Sequence, residues 1–233
     1  MESSDAERLG QQLAKPSGAF GLEVAQMMHK GNAAICHDAF KALEAFVPNR
    51  VLELGMGNGQ HSAAWAEKLK VGQWLGLDHA PDMVKEAERL QAVQVAAGRR
   101  GFYLAQPEGM VEVLEAEAQL KTGFDAAISV NTLYFWENPE EVLAQFFSLL
   151  KPGAPLILAF RSAGLMRQFE FTRKGFRFWE ADALWRLLEK AGFVPEPMQY
   201  WVEPEFEFKG KPLAMDHWVA KALKPADFSG AEF

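Results

Sequence analysis

The sequence predicts an α/β protein built on a doubly wound, mostly parallel seven-stranded sheet, and three observations carry that expectation. Apolar runs of strand length alternate with amphipathic stretches of helix length through most of the 233 residues, the pattern of repeated βαβ units. The first such run, Arg50-Val-Leu-Glu-Leu-Gly55, leads directly into a glycine-rich turn, Gly55-Met-Gly57-Asn-Gly59, as a strand does when it hands over to a helix. Past Gly192 the alternation gives way to two extended runs joined by a turn, which reads as an antiparallel hairpin at the sheet edge.

Taken in order, Arg50 to Gly55 is the first strand, and a helix follows from about Gly59 to Leu69. Gln73 to Asp78 is the second strand. Pro81 has a fixed φ and no amide hydrogen to place, so it suits the first position of a helix, here running to about Val95. Gly101 to Ala105 makes a short third strand and Phe124 to Val130 a fourth. Pro139 opens a helix whose Val142, Leu143, Phe146, Phe147 and Leu150 share one face, and Lys151-Pro-Gly153 stops it. Pro155 to Phe160 is the fifth strand. Ala183, Leu184, Leu187 and Leu188 mark another helix, ended by Gly192. Tyr200 to Phe208 and Asp216 to Leu223, joined through Lys209-Gly-Lys-Pro212, form the hairpin. Residues 5–47 look helical but stand outside the alternation. The expected organisation is therefore a single domain, with a core over 48–223 and a helical lid or packing appendage over 1–47.

Composition narrows the partners. The hydrophobic fraction is 49%, the charged fraction 24% and the formal charge −7, an ordinary globular balance. An acidic chain would need a local basic patch to grip nucleic acid, so the expected partner is a small molecule and not a polynucleotide. The one cysteine, Cys36, excludes an internal disulfide and a Cys-rich zinc site, and no metal site is expected. The start of the chain has neither a basic segment nor an apolar one, and the longest strongly apolar run, Pro155 to Phe160, is too short for a bilayer. A cytoplasmic protein without membrane contact is expected, and its oligomeric state is not legible.

The chemistry centres on the glycine-rich turn. Glycines there let the chain turn tightly and let a ligand approach the main chain, and the following helix aims unpaired N–H groups above the turn. A dinucleotide site would place a third glycine where Gln60 stands. Glu53 puts a carboxylate at the strand end, where it would repel a pyrophosphate and attract an ammonium or sulfonium group. Asp78, 25 positions later at the end of the second strand, stands where an acidic residue accepts hydrogen bonds from ribose hydroxyls. Together these residues point to a nucleoside that is not a dinucleotide.

With these residues the chain resembles the class I S-adenosylmethionine-dependent methyltransferases, which have a Rossmann-like fold. Glu53 to Gly59 is similar to their first motif, and Gly76-Leu-Asp-His-Ala-Pro-Asp-Met83 to their ribose-binding turn. Phe124 to Asn131, Asn138-Pro-Glu-Glu-Val-Leu143 and Leu150-Lys-Pro-Gly153 resemble the small-molecule branch. The resemblance covers about residues 50–160. It implies S-adenosylmethionine as cofactor, with Glu53, Gly55, Gly57 and Gly59 around its methionine part and Asp78 on the ribose. It further implies His79 and Met83 flanking the adenine, Gln106, Pro107 and Glu108 near the adenine edge, and Asn131 and Tyr134 where the methionine part meets the acceptor.

A methyl group already activated by a sulfonium needs no covalent nucleophile from the protein; it needs an aligned acceptor and exclusion of water. Where the acceptor must lose a proton, His29, His37, Tyr134 and Glu137 are candidate bases. Tyr134, Phe135 and Trp136 are either acceptor pocket or core. Arg161, Arg167, Arg173, Lys174 and Arg177 gather after the fifth strand, as a solvated face or as a site for an anionic acceptor. Two other readings stand beside this one: an NAD(P)-dependent oxidoreductase on a similar sheet, and a methyltransferase-like subunit that binds without turnover.

Overall fold

A computed structural model describes residues 3–120, 122–208 and 211–226. Three helices come first, α1 (Ser3–Ala14), α2 (Gly18–Gly31) and α3 (Ala33–Lys41). The alternating part runs β1 (Arg50–Leu54), α4 (Gln60–Lys68), β2 (Gln73–Asp78), α5 (Pro81–Leu90), α6 (Ala92–Ala96), β3 (Arg100–Leu104), α7 (Met110–Ala116), β4 (Ala126–Val130), α8 (Pro139–Leu149) and β5 (Pro155–Phe160). Next come α9 (Ala163–Met166), α10 (Ala181–Lys190) and the strands β6 (Val194–Pro195), β7 (Gln199–Val202), β8 (Phe206–Phe208), β9 (Lys211–Leu213) and β10 (Asp216–Leu223).

The main sheet has the order β3-β2-β1-β4-β5-β10, with β6 and β7 both on the outer edge of β10. The first five strands are parallel and β10 is antiparallel to β5. The expected doubly wound sheet is present with seven strand positions, and the outermost is shared by two short strands, so eight strands are counted. Pro195 sits at the edge, where its missing N–H costs no ladder bond. The hairpin of β7 with β10 is part of the expected one; the run expected from Tyr200 to Phe208 is split, and β8 pairs instead with β9, which takes in Lys211 and Pro212 of the expected turn, while Lys209 and Gly210 lie outside the described residues.

Strand residues alternate between two cores. Leu52 and Leu54 of β1 face the layer of Val142, Leu143 and Phe146 on α8 and Leu184 and Leu188 on α10. Val51 faces the opposite layer, with Trp74, Ile35 and Phe40 of α3, and Trp65 and Ala66 of α4. Helices on both faces leave only the strand ends free. The chain winds outward from β1 to β3 and then returns to β4 on the other side of β1, which opens a crevice at the carboxyl ends of β1 and β4.

A helix also differs from the sequence reading. The helix expected to run to Val95 is broken between α5 and α6 at Gln91, whose amide Nε2 donates to the Gly59 carbonyl at 3.0 Å. A tertiary bond to the glycine turn interrupts a stretch that its local sequence would continue.

The helices before β1 are fastened to the sheet by buried charge. Arg161, at the end of β5 and 3% exposed, donates to Glu203 and, at 3.0 Å, to the Gly31 carbonyl at the end of α2. Fully buried His217 stands between Glu203 at 2.9 Å and Asp38 of α3 at 3.1 Å. Removing one member of such a buried group strands its partner without solvent. Arg161→Met is expected to cost about 3–5 kcal/mol of unfolding free energy, read by urea denaturation; a loss below ~1 kcal/mol would show that solvent replaces the guanidinium.

Candidate functional site

The crevice at the switch point is a cavity of about 140 Å³. Its floor is the turn after β1. Gly55, Gly57 and Gly59 all have positive φ, at 76°, 56° and 71°, a region that side chains disfavour. They serve different ends. A Cβ on Gly55 would lie 2.1 Å from Thr132 Cγ2, and one on Gly59 would lie 2.7 Å from Gln91 Nε2, so both are held to glycine by packing. Gly57 has no atom within 4 Å of that position and opens into the cavity.

Asp78 closes the end of β2 and is only 7% exposed. Its Oδ2 accepts from the Gly57 amide at 2.9 Å and its Oδ1 from the Ala80 amide at 2.8 Å. A carboxylate's two oxygens offer about four acceptor positions, more than these two amides occupy. Burial raises its pKa, against the pull of those two amides and of the neighbouring His79.

Glu53 lies on the same sheet face as Trp74, whose indole N–H donates to its Oε2 at 2.9 Å. Burial pushes its pKa up to about 7, opposed by hydrogen bonds from Trp74 and Ser62 and aided by the nearby Asp78 charge. A cation arriving beside it would favour the ionised form.

The opposite wall comes from β4. Asn131 sits at φ 57°, unusual for a residue with a side chain. Its amide donates to the Ala159 carbonyl at 2.8 Å and its Oδ1 accepts from the Tyr134 hydroxyl at 3.0 Å. Met83, Ala105 and Pro107 add apolar lining, and His79 borders the cavity as well. Above lie Ala25, Met28 and His29 of α2 and Asn32 and Cys36 at α3, so the helices ahead of β1 form a wall of the cavity.

Among the residues singled out by sequence, Glu53, Gly55, Gly57, Asp78, His79, Met83, Pro107, Asn131 and His29 line this cavity. Gly59, Gln106, Glu108 and Tyr134 are not among its lining residues. Glu108 turns to α8, accepting from the Asn138 amide at 3.1 Å. Tyr134 is buried, and its hydroxyl donates to Asn131 while accepting from the Arg161 amide. Burial raises its pKa strongly, which opposes service as a base. His37 is exposed, bonded to Asp38 at 3.1 Å and edge-on to Trp65. Glu137 is exposed and does not reach the cavity.

Sequence reasoning passed over His61 and Thr132, which also line the cavity. His61, in the first turn of α4, lies against His29 with ring centroids 4.2 Å apart, and its Nε2 is 3.0 Å from the His29 carbonyl. A carbonyl only accepts, so Nε2 carries the hydrogen. Burial, followed by the proximity of His29, lowers the His61 pKa. Its position two residues past Gly59 was the available signal.

Comparison with known proteins places the chain. The family model described as "Methyltransferase domain" matches residues 27–196, and the chain belongs to that family. Its fold is that of a class I methyltransferase. The methyltransferase solved in complex with the Trm112 methyltransferase activator of Haloferax volcanii superposes with a TM-score of 0.69, at 16% identity, over 86% of this chain and 93% of that one. A SAM-dependent methyltransferase of Thermotoga maritima gives 0.60, at 21% identity, over 87% and 96%. Both likenesses speak to the fold. Juvenile hormone acid O-methyltransferase of Bombyx mori is 28% identical over 150 residues, 58% of this chain and 49% of that protein. The matched region thus spans about half the length of that relative.

The Glu53 carboxyl yields a pH test. Its folded-state pKa of about 7 lies above the unfolded value of ~4.3, so the protonated form is favoured by folding. That stability is fully present below about pH 4 and is lost as pH rises through about 7. Glu53→Gln keeps an acceptor for Trp74 and removes the ionisation. Relative to wild type, the variant should gain up to about 3 kcal/mol of unfolding free energy between pH 5 and pH 8, measured by denaturant titration at both. An unchanged difference would mean that Glu53 ionises freely in the folded protein.

Proposed function

We propose that this methyltransferase takes its methyl group from S-adenosylmethionine and passes it to a small organic acceptor. The observation that carries the reading is the Asp78 carboxylate, which is bonded to the glycine turn on one side and the start of α5 on the other and lines the cavity. The residues present suit the cofactor. Gly57 offers a cradle that a Cβ would fill, Asp78 offers acceptors to ribose hydroxyls, Glu53 offers a carboxyl to an ammonium group, and Met83, Ala105 and Pro107 offer apolar lining to the adenine. His79 flanks that lining, and Asn131, steadied by Tyr134, borders the methionine end. Gln106 and Glu108 are assigned a supporting part outside that lining.

When bound, the cofactor supplies a methyl group made electrophilic by its sulfonium. The protein's task is then to hold the acceptor in line and keep water out. Ala25, Met28 and Cys36 present apolar surface on the cavity's outer side, and we assign α1 to α3 the part of a lid. Where the acceptor carries a proton, His61 suits its removal: with Nε2–H given to the His29 carbonyl, the lone pair is on Nδ1, and the lowered pKa keeps that atom unprotonated near neutral pH. His29 is the orienting partner. The likeness to an O-methyltransferase of a small hormone acid supports an acceptor of that size.

The test has a binding arm and a transfer arm. In calorimetry, S-adenosylhomocysteine should bind saturably and NADH should not. Asp78→Ala should weaken the former about 10- to 100-fold, as expected for lost hydrogen bonds to a charged group. In transfer, label from S-adenosylmethionine should reach a component of small-molecule extracts with wild type and not with Asp78→Ala. Saturable NADH binding without S-adenosylhomocysteine binding would overturn the reading. Cofactor binding without transfer to any extract component would favour a non-catalytic subunit.

A further inference from the structure

A second cavity of about 300 Å³ lies between α1 and the segment 170–176, at the small end of the range for ligand pockets. It adjoins the cofactor cavity in two ways. Ala14, at the end of α1, lines both. Phe176 lines the second cavity and packs edge-on against Phe135 at 4.8 Å, and Phe135 lines the first. Phe171 adds a further ring, 6.2 Å from Phe176. Gly10 brings the α1 backbone against this wall, since a Cβ there would lie 2.5 Å from the Phe171 carbonyl oxygen.

The charges at its rim cancel. Lys174 is paired with Glu7 at 3.0 Å. Arg173 and Glu170 both line the cavity, and neither side chain has an ion-pair partner among the described residues. The basic excess seen in the sequence after β5 is otherwise spent inside the protein. Arg161 is in the buried cluster, Arg167 faces Glu180 at 3.2 Å, and Arg177 donates to the Glu137 carbonyl at 3.3 Å. With two residues of each sign at its rim the cavity carries no net positive charge, and apart from Gln11 the rest of its lining is aromatic and small apolar surface.

We propose that this groove holds the body of the methyl acceptor, an apolar aryl or comparably bulky hydrocarbon group chosen for its apolar bulk and not for its charge. Its reacting end would pass Ala14 and Phe135 toward the cofactor cavity. The proposal rests on the methyltransferase reading above and names the acceptor class for the same site. An aryl group laid against Phe171 and Phe176 gains burial and ring contacts, whereas a charged group gains no net field from a rim with two residues of each sign.

The probes are 2-naphthol, phenol and 2-naphthoate, titrated by calorimetry into the full chain with and without S-adenosylhomocysteine. Naphthol should bind at least about tenfold more tightly than phenol, be undisturbed by S-adenosylhomocysteine, and exceed or equal naphthoate. Gln11→Trp, which fills the groove from an exposed helix position, should weaken naphthol about tenfold or more, and Phe171→Ala should weaken it as well. The proposal is overturned if naphthol fails to bind, if neither variant changes its affinity, or if S-adenosylhomocysteine competes with it. It is equally overturned if naphthoate binds far more tightly and Arg173→Ala abolishes that preference. Failure of S-adenosylhomocysteine to bind wild type would strike the donor reading alone, because the naphthol comparison is made without it as well.

Discussion

Two turns from different βα units border the cavity, and one carboxylate holds them at a fixed distance. Asp78 receives the Gly57 amide from the β1–α4 turn and the Ala80 amide from the start of α5. A buried carboxylate is costly unless its oxygens are satisfied, and here the satisfaction comes from backbone groups of both turns. The cost of desolvation, seen in the raised pKa, is offset only while both turns keep their positions. The glycine turn is reinforced from behind by Gln91, whose amide reaches the Gly59 carbonyl, and from the side by Thr132 packed over Gly55. Three strand ends are thereby locked to one turn.

The parts legible in the sequence are those fixed by local rules. Strands buried on both faces read as apolar runs, so β1, β2, β4 and β5 were placed within two residues. Pro81 and Pro139 mark the helix starts of α5 and α8, and at α8 Asn138 adds a cap that accepts from the Glu141 amide. Glu53 and Asp78 were legible because charge at the end of an apolar strand needs a reason. What the sequence hid was set by contacts between distant elements. Nothing near Gln91 announces that it leaves its helix for Gly59. The split outer edge depends on how Val194–Pro195 and Gln199–Val202 share β10. His61 looks like any helix residue until α2 brings His29 over it.

The candidate bases show the same division. Of the four, only His29 lines the cavity. His37 directly follows Cys36 on α3 but is exposed, beside Trp65. Tyr134 faces inward and spends its hydroxyl on Asn131 and the Arg161 amide. In both cases the residue lies on an element that borders the cavity, and the direction of the side chain, which rests on tertiary packing, decides where its polar atoms go.

The buried charge cluster links this local geometry to the rest of the molecule. Arg161 binds the end of α2 at Gly31, and His217 binds α3 through Asp38. Those two helices carry His29 and Cys36 to the cavity. The same Arg161 supplies the backbone amide that engages Tyr134, which in turn steadies Asn131. One residue at the end of β5 therefore acts on both the outer wall and the β4 side of the cavity. Buried ionic groups of this kind add little net stability over apolar packing and fix one arrangement among many. Here the arrangement fixed is the closed wall of α2 and α3 over the strand ends, without which the crevice would be an open groove.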